Sequence, residues 1–168
     1  DLKKTKNGAM NAFKSLEKLY PDFNPMKSTL QEIRSFLPDL SEKARQMIKG
    51  NLKNRKITQK AKFLLFKEFT AIKSSEMKEK CLNTLGKLLT SHHEQLRDRI
   101  GISTEKIETM IRSSLDAGAL GAKINGSGFG GTMFALARPG REEDVKGAIE
   151  ESGGKAYIIH ASKGVGMN

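Results

Sequence analysis

The segment Gly118-Ala-Leu-Gly-Ala-Lys-Ile-Asn-Gly-Ser-Gly-Phe-Gly-Gly131 separates two parts of the chain with different sequence patterns. Glycine fills six of its fourteen positions. A tight hairpin needs only one or two residues with positive φ, so this much glycine indicates that the backbone of residues 126–131 lies close against another surface. That surface is either a phosphate group held by backbone N–H groups or another segment of protein. A mobile loop is the alternative, but it does not explain the strand-like sequence on both sides.

The sequence around and after this segment predicts a small antiparallel sheet. Residues 122–125 and 132–138 are typical of two strands, and residues 155–161 of a third. Between the second and third strands, the acidic run at 142–144 favours the start of a helix, because negative charge stabilises a helix N-terminus. Gly153-Gly154 is expected to end that helix.

Apolar residues at helical spacing predict a series of helices over residues 1–118. Pro21 ends the first apolar run. The second run begins at the capping-box pattern Ser28-Thr29-Leu30-Gln31 and ends at Pro38. A short helix with Ser41 as its N-cap is expected to end at Gly50. Further helices are predicted from about Ile57, after Ser74-Ser75, and from a cap at Ser103 to an end at Gly118. The predicted fold class is therefore α+β, a helix-rich two-layer domain with a small antiparallel sheet and ferredoxin-like β-α-β elements.

The composition is that of a globular protein. The chain has 168 residues, of which 37% are hydrophobic and 29% charged, which is enough to build one domain with a core. No apolar run approaches the roughly 20 residues of a membrane-spanning helix. The single cysteine, Cys81, excludes an internal disulfide and a four-cysteine zinc site. It indicates a reducing compartment, so we expect a cytoplasmic protein.

The net charge of +11 raises the possibility of a nucleic-acid or other anionic partner. Residues 1–60 hold most of the excess, with 14 basic and 6 acidic groups. Aromatic residues are only 6% of the chain and tryptophan is absent, so stacking platforms for single strands are scarce. The lysines are therefore interpreted as solvated helix faces. A basic helical module that binds nucleic acid or an acidic protein is kept as the alternative.

Two familiar phosphate-binding motifs do not fit the glycine segment. A P-loop requires a lysine directly before its serine or threonine, but the residue directly before Thr132 is Gly131. Gly126, Gly128 and Gly131 match the spacing of a dinucleotide fingerprint, but that motif opens a helix, and the sequence here continues as a strand.

The segment instead resembles the third, C-terminal motif of the GHMP kinases, the family of galactokinase, homoserine kinase, mevalonate kinase and phosphomevalonate kinase. Its ending, Gly128-Phe-Gly-Gly131, is similar to that of galactokinases, whereas mevalonate kinases usually have glycine at the position of Phe129.

A second stretch, residues 91–103, resembles a galactokinase segment. Gln95 and Arg99-Ile100 depart from the galactokinase pattern, and Ile100-Gly-Ile-Ser103 is closer to mevalonate kinases. The resemblance covers roughly residues 40–168. We expect a sugar as the phosphate acceptor, with a mevalonate-type alcohol as the alternative. The matching positions in this stretch are His93, Leu96, Arg97, Asp98 and Ser103.

The resemblance implies a C-terminal domain, residues 1–168, of an enzyme that transfers the γ-phosphoryl group of ATP to a small-molecule hydroxyl. Residues 1–118 would be its helical part, and residues 119–168 its glycine hairpin, helix and last strand. In this family an N-terminal domain supplies the Gly-Leu-Ser-Ser phosphate motif and the catalytic groups, and Mg²⁺ arrives with ATP. No catalytic residue is assigned here, and the chain alone is expected to be inactive. The predicted nucleotide-facing residues are Gly126, Ser127, Gly128, Phe129, Gly130 and Gly131.

Four other side chains are considered as site residues. Strand alternation points Lys123 and Asn125 to one face, where they are predicted to approach substrate or phosphate. Of His92 and His93, one is expected to face the helix bundle and the other solvent, without a catalytic role. Cys81 lies on an apolar stripe and is expected to pack in the core.

Overall fold

The computed structural model describes residues 2–69, 72 and 74–160. In the described part of the chain, four α-helices and one 3₁₀ helix precede a two-stranded antiparallel hairpin, and one further α-helix follows it. The predicted class, a helix-rich α+β domain with a small antiparallel sheet, is confirmed. The elements are α1 (Leu2–Leu19), a 3₁₀ helix (Arg34–Asp39), α2 (Glu42–Phe63), α3 (Ser75–Glu94), α4 (Glu105–Asp116), β1 (Ala119–Asn125), β2 (Thr132–Ala137) and α5 (Glu142–Glu151), with π-helical turns at Leu64–Phe69 and Gln95–Ile100 that extend α2 and α3.

The N-terminal helices form a core of their own. Three completely buried side chains lie in this core: Leu16 of α1, Ile33 directly before the 3₁₀ helix, and Ile48 of α2. Apolar side chains fill this core, and the apolar area that they remove from water stabilises it.

A second core lies between α4 and the hairpin. Ala122 and Ile124 of β1 are buried against Ile107 and Ile111 of α4. Because successive side chains of a strand point to opposite faces, this packing places Lys123 on the other face of the hairpin.

Two N-terminal helix predictions are wrong. α2 continues through Gly50, because that glycine is a packing position: a Cβ there would lie 3.0 Å from the Cβ of Arg99. The run before Pro38 forms turns and the 3₁₀ helix instead of an α-helix. A capping box forms one residue later than the Ser28-Thr29-Leu30-Gln31 pattern, with the Glu32 carboxylate accepting from the Thr29 N–H at 2.7 Å. Pro38 lies inside the 3₁₀ helix and has no N–H with which to continue an α-helix.

The predicted third strand does not form. Residues 155–160 have no strand pairing, and Ala161 lies outside the described residues. Tyr157, Ile158 and Ile159 are exposed, and a strand is stable only when its backbone groups pair with a neighbour. Among the described residues no strand offers that pairing, so the predicted β-α-β unit is incomplete there. Within the same residues no helix is long and apolar enough to cross a membrane.

Candidate functional site

The glycine loop, residues 126–131, connects β1 to β2 and has an unusual backbone. Gly126, Gly128, Gly130 and Gly131 all have positive φ, between 76° and 107°. Phe129 joins them with a φ of 59°, as the only non-glycine residue with positive φ in the described part of the chain. This conformation costs an ordinary residue about 1–2 kcal/mol, which explains the glycine content of the loop.

One side of the loop is seated on the segment before α4. The N–H of Phe129 donates to the carbonyl oxygen of Ile102 at 2.7 Å. A Cβ on Gly128 would lie 2.6 Å from both the carbonyl oxygen and the Cβ of Ile102. The predicted close approach is therefore present at Gly128, and its partner there is protein.

The other side of the loop is open. At Gly126, Gly130 and Gly131 an added Cβ would meet no described atom within 4 Å. The backbone at these three positions can therefore be approached by another molecule or by another part of the protein without interference from side chains.

Lys123 and Asn125 lie on the hairpin face that leads into the loop. Their partners in the register are Phe134 and Thr132, respectively. The ammonium group of Lys123 donates to the carbonyl oxygen of Ile124 at 2.8 Å and lies 5.2 Å from the centre of the Phe134 ring. Burial lowers the pKa of Lys123. An ammonium has three donor hydrogens, so Lys123 retains donors for a further partner.

His92 does not face solvent, contrary to the prediction. It is partly buried and lines a cleft of about 210 Å³ between α2, α3 and Lys123. Burial, and after it the positive charge of Lys123, lowers the pKa of His92 to about 4. Its Nδ1 atom is buried and has no hydrogen-bond partner among the described residues. Cys81 is buried, as predicted.

The structure also contains a polar cluster that the sequence did not reveal. His93 is 1% exposed, and its Nε2 lies 2.8 Å from Oε1 of Glu108. The same carboxylate accepts from the hydroxyl of Ser103 and from Nη1 of Arg97, the latter at 3.3 Å. Arg97 also binds Asp98 through two hydrogen bonds of 2.6 and 3.0 Å.

The cluster keeps Glu108 ionised. Burial opposes the charge, but the hydrogen bond from Ser103 and the neighbouring His93 outweigh it, so the pKa of Glu108 lies below its usual value. The prediction that Ser103 is the N-cap of α4 is therefore wrong. Its hydroxyl serves Glu108, and Thr104 caps the helix by accepting from the N–H of Ile107.

A partial signal for this cluster was present in the sequence. His93, Arg97, Asp98 and Ser103 all lie in the stretch that resembled a galactokinase segment, but periodicity alone did not distinguish His93 from His92. Glu108 is next to the apolar stripe of α4, and nothing in a single helix shows that a distant imidazole will reach it.

Comparisons with known proteins agree on one family. The family model described as "GHMP kinases C terminal" matches residues 72–155, half of the chain. A mevalonate kinase of Thermococcus gammatolerans is 40% identical over 109 residues, which are 64% of this chain and 30% of that protein. A galactokinase of Mycobacterium tuberculosis is 42% identical over 67 residues, or 40% of this chain and 18% of that protein.

The solved structures show the same fold. Galactokinase of Lactococcus lactis, in complex with galactose, superposes with a TM-score of 0.69 at 19% identity. The match covers 89% of this chain and 37% of that one. The chain thus spans less than a third of the curated relatives named above and little more than a third of the solved structure.

Proposed function

The chain belongs to the GHMP kinase C-terminal family, and from this premise we propose that it forms the C-terminal lobe of an ATP-dependent kinase that phosphorylates a hydroxyl group of a small molecule. The observation that carries the proposal is the glycine loop. One of its sides is seated on Ile102, and the other exposes backbone at Gly126, Gly130 and Gly131. A backbone of this kind suits an anionic group such as phosphate, because N–H dipoles can approach it closely.

The role of the loop would be to hold and orient the phosphates of ATP. ATP supplies the phosphoryl group that is transferred. Catalysis of such a transfer depends mostly on positioning and on stabilisation of charge, so a rigid loop contributes to rate without moving a proton. The residues proposed for this contact are Gly126, Ser127, Gly128, Phe129, Gly130 and Gly131.

Mg²⁺ is expected to reach the site with ATP. Among residues 2–69, 72 and 74–160 no three histidine, cysteine or acidic side chains come together in a way that could hold a metal ion. Phosphate oxygens and water, with groups from elsewhere in the enzyme, would then provide the metal ligands.

An N-terminal domain of the same polypeptide is the partner that we propose for the open side of the loop. The relatives are about three times as long as the part that matches this chain. Such a domain would supply the remaining phosphate contacts and the catalytic groups, and we expect the chain alone to show no phosphoryl transfer. Lys123 and Asn125 alternate onto one face of β1, with Phe134 and Thr132 as their register partners, and are proposed to lie near the acceptor.

A sugar such as galactose is the acceptor that we propose. Phe129 supports it, since galactokinases share this residue and mevalonate kinases usually have glycine there. A mevalonate-type alcohol is the second candidate, because the matches to mevalonate kinases extend over more of the chain than those to galactokinases.

The test is a transfer assay with labelled ATP and a panel of acceptors, galactose and mevalonate among them. It compares the chain alone with the polypeptide that also carries the N-terminal domain. We expect transfer to galactose by the longer polypeptide only. Transfer to mevalonate alone would overturn the sugar assignment, and transfer to neither acceptor, nor to other small alcohols, would overturn the proposed function. Affinity of the chain for random duplex DNA that depends on salt but persists at physiological salt would favour the nucleic-acid alternative.

A further inference from the structure

We propose that His93 and Glu108 are positioning residues that fix the glycine loop in the geometry needed for phosphoryl transfer. This inference rests on the proposed function. It concerns residues that hydrogen bonds link to the strand before the loop and to the segment on which the loop is seated.

The hydrogen bonds of His93 define where its proton lies. The backbone N–H of Ile124 points at Nδ1 from 3.4 Å, so Nδ1 is the acceptor nitrogen. Nε2 therefore carries the hydrogen and donates it to Glu108 at 2.8 Å. The imidazole thus joins a strand backbone on one side to a carboxylate on the other.

The first connection holds the entrance of the loop. Ile124 lies two residues before Gly126, at the end of β1 where the chain leaves the sheet. Its side chain is buried in the second core, and His93 binds its N–H group. The direction in which the chain enters the loop is therefore tied to the C-terminal end of α3.

The second connection holds the seat of the loop. Ser103 donates to Glu108 and directly follows Ile102, the residue on which Gly128 rests and to which the Phe129 N–H donates. One carboxylate, through His93 and Ser103, therefore links the entrance of the loop to its seat. Five of the six loop residues have positive φ, so the loop gains no order from a helix or strand of its own, and these external connections define its position.

Neither residue belongs to the glycine loop itself; both line a separate cleft of about 290 Å³ beside α4. The side chain of His93 is 2% exposed and that of Glu108 is 28% exposed. Their effect on the reaction would be indirect, through the loop backbone. A loss of positioning is expected to lower kcat while leaving the KM for the acceptor nearly unchanged, because the acceptor does not contact them.

The experiment uses Glu108→Gln and Ser103→Ala, with Glu105→Gln as the matched control on an exposed acid of the same helix. The first readout is hydrogen exchange of the Phe129 N–H in the 168-residue chain, which needs no kinase activity. We expect exchange to be about tenfold faster in Glu108→Gln and Ser103→Ala, since a hydrogen bond to a charged group is lost or weakened. Ser103→Thr, which keeps the hydroxyl, should restore protection, and Glu105→Gln should leave it unchanged.

The second readout is the kinetics of the polypeptide that carries the N-terminal domain. We expect kcat to fall about tenfold in Glu108→Gln, with the acceptor KM changed less than about twofold. Unchanged Phe129 exchange in both folded variants would overturn the positioning role, whether or not the enzyme turns over. Faster exchange with an unchanged kcat would also overturn it. If the unmodified polypeptide transfers no phosphoryl group, the proposed function fails, and the exchange result still decides whether this cluster holds the loop.

Discussion

The N-terminal helices and the hairpin region are held together by different kinds of contact. Around Leu16 and Ile48, apolar side chains pack against apolar side chains. Around the hairpin, a second apolar core is joined by direct packing of backbone on backbone, as at Gly86 and Gly121, and by a buried imidazole that binds a carboxylate. Side-chain packing tolerates changes of shape because neighbours can adjust, whereas two touching backbones cannot. The difference indicates that the first region is scaffold and that the second is built for accurate placement.

The largest effect is expected at the crossing of α3 and β1. In Gly121→Ala the new Cβ would overlap the carbonyl group of Gly86, which is backbone and cannot rotate away. We expect the free energy of unfolding to fall by about 4 kcal/mol or more. Denaturant titration measures it, with Gly147→Ala as control. That glycine lies within α5 with no described atom near its Cβ position, and its replacement should stabilise the helix by about 0.5–1 kcal/mol.

A cavity in the scaffold should cost stability and leave the loop intact. Ile48→Ala removes a completely buried side chain of α2 and should lower the free energy of unfolding by about 3 kcal/mol. Hydrogen exchange of the Phe129 N–H, measured under conditions where the variant remains folded, should not change. Faster exchange there would show that the two regions are coupled and would remove the distinction between them.

Gly128→Val tests the loop itself, in the polypeptide with the N-terminal domain. The added side chain would lie against the carbonyl of Ile102 in a left-handed conformation that valine rarely adopts. We expect kcat/KM to fall about a hundredfold while the circular dichroism spectrum stays the same. Gly130→Ala, whose Cβ would meet no described atom, should have a smaller effect. Normal kinetics in Gly128→Val would mean that the loop only connects two strands.

A smaller effect is expected from the titration of His92. Its pKa is about 4 in the folded protein, from a usual value of 6.5, so the unfolded state binds the proton more readily. Stability is therefore complete above pH 6.5 and decreases as the pH falls toward 4, by about 1–2 kcal/mol because the ring is only partly buried. His92→Gln should flatten the unfolding free energy over this range. His160→Gln, at an exposed position, should not.

The sequence predicted what depends on local pattern. The two strands, the helix that begins at the acidic run 142–144 and the end of α4 before Gly118 all follow from periodicity, helix-dipole charge and glycine conformation. Gly50 was misinterpreted as a helix end because a packing glycine and a capping glycine look alike until the neighbouring element, here Arg99, is in place.

The site was only partly predictable for a similar reason. The glycine content of residues 126–131 revealed an unusual backbone, but it did not show that Gly128 is the loop glycine that rests on Ile102. The link between His93 and Glu108 joins residues on two helices, and its value depends on both being buried at once. Contacts of this kind arise from tertiary packing, which a single sequence does not show.

The amide resonances of the polypeptide with the N-terminal domain, recorded as Mg·ATP is added, show whether the glycine loop faces the nucleotide. If the open side of the loop faces the phosphates, the signals of Gly126, Gly130 and Gly131 shift with a saturating dependence on nucleotide. Those of Leu16 and Ile48, in the scaffold, stay in place. Loop signals that do not move while the nucleotide is demonstrably bound would contradict the assignment of this loop to the nucleotide site.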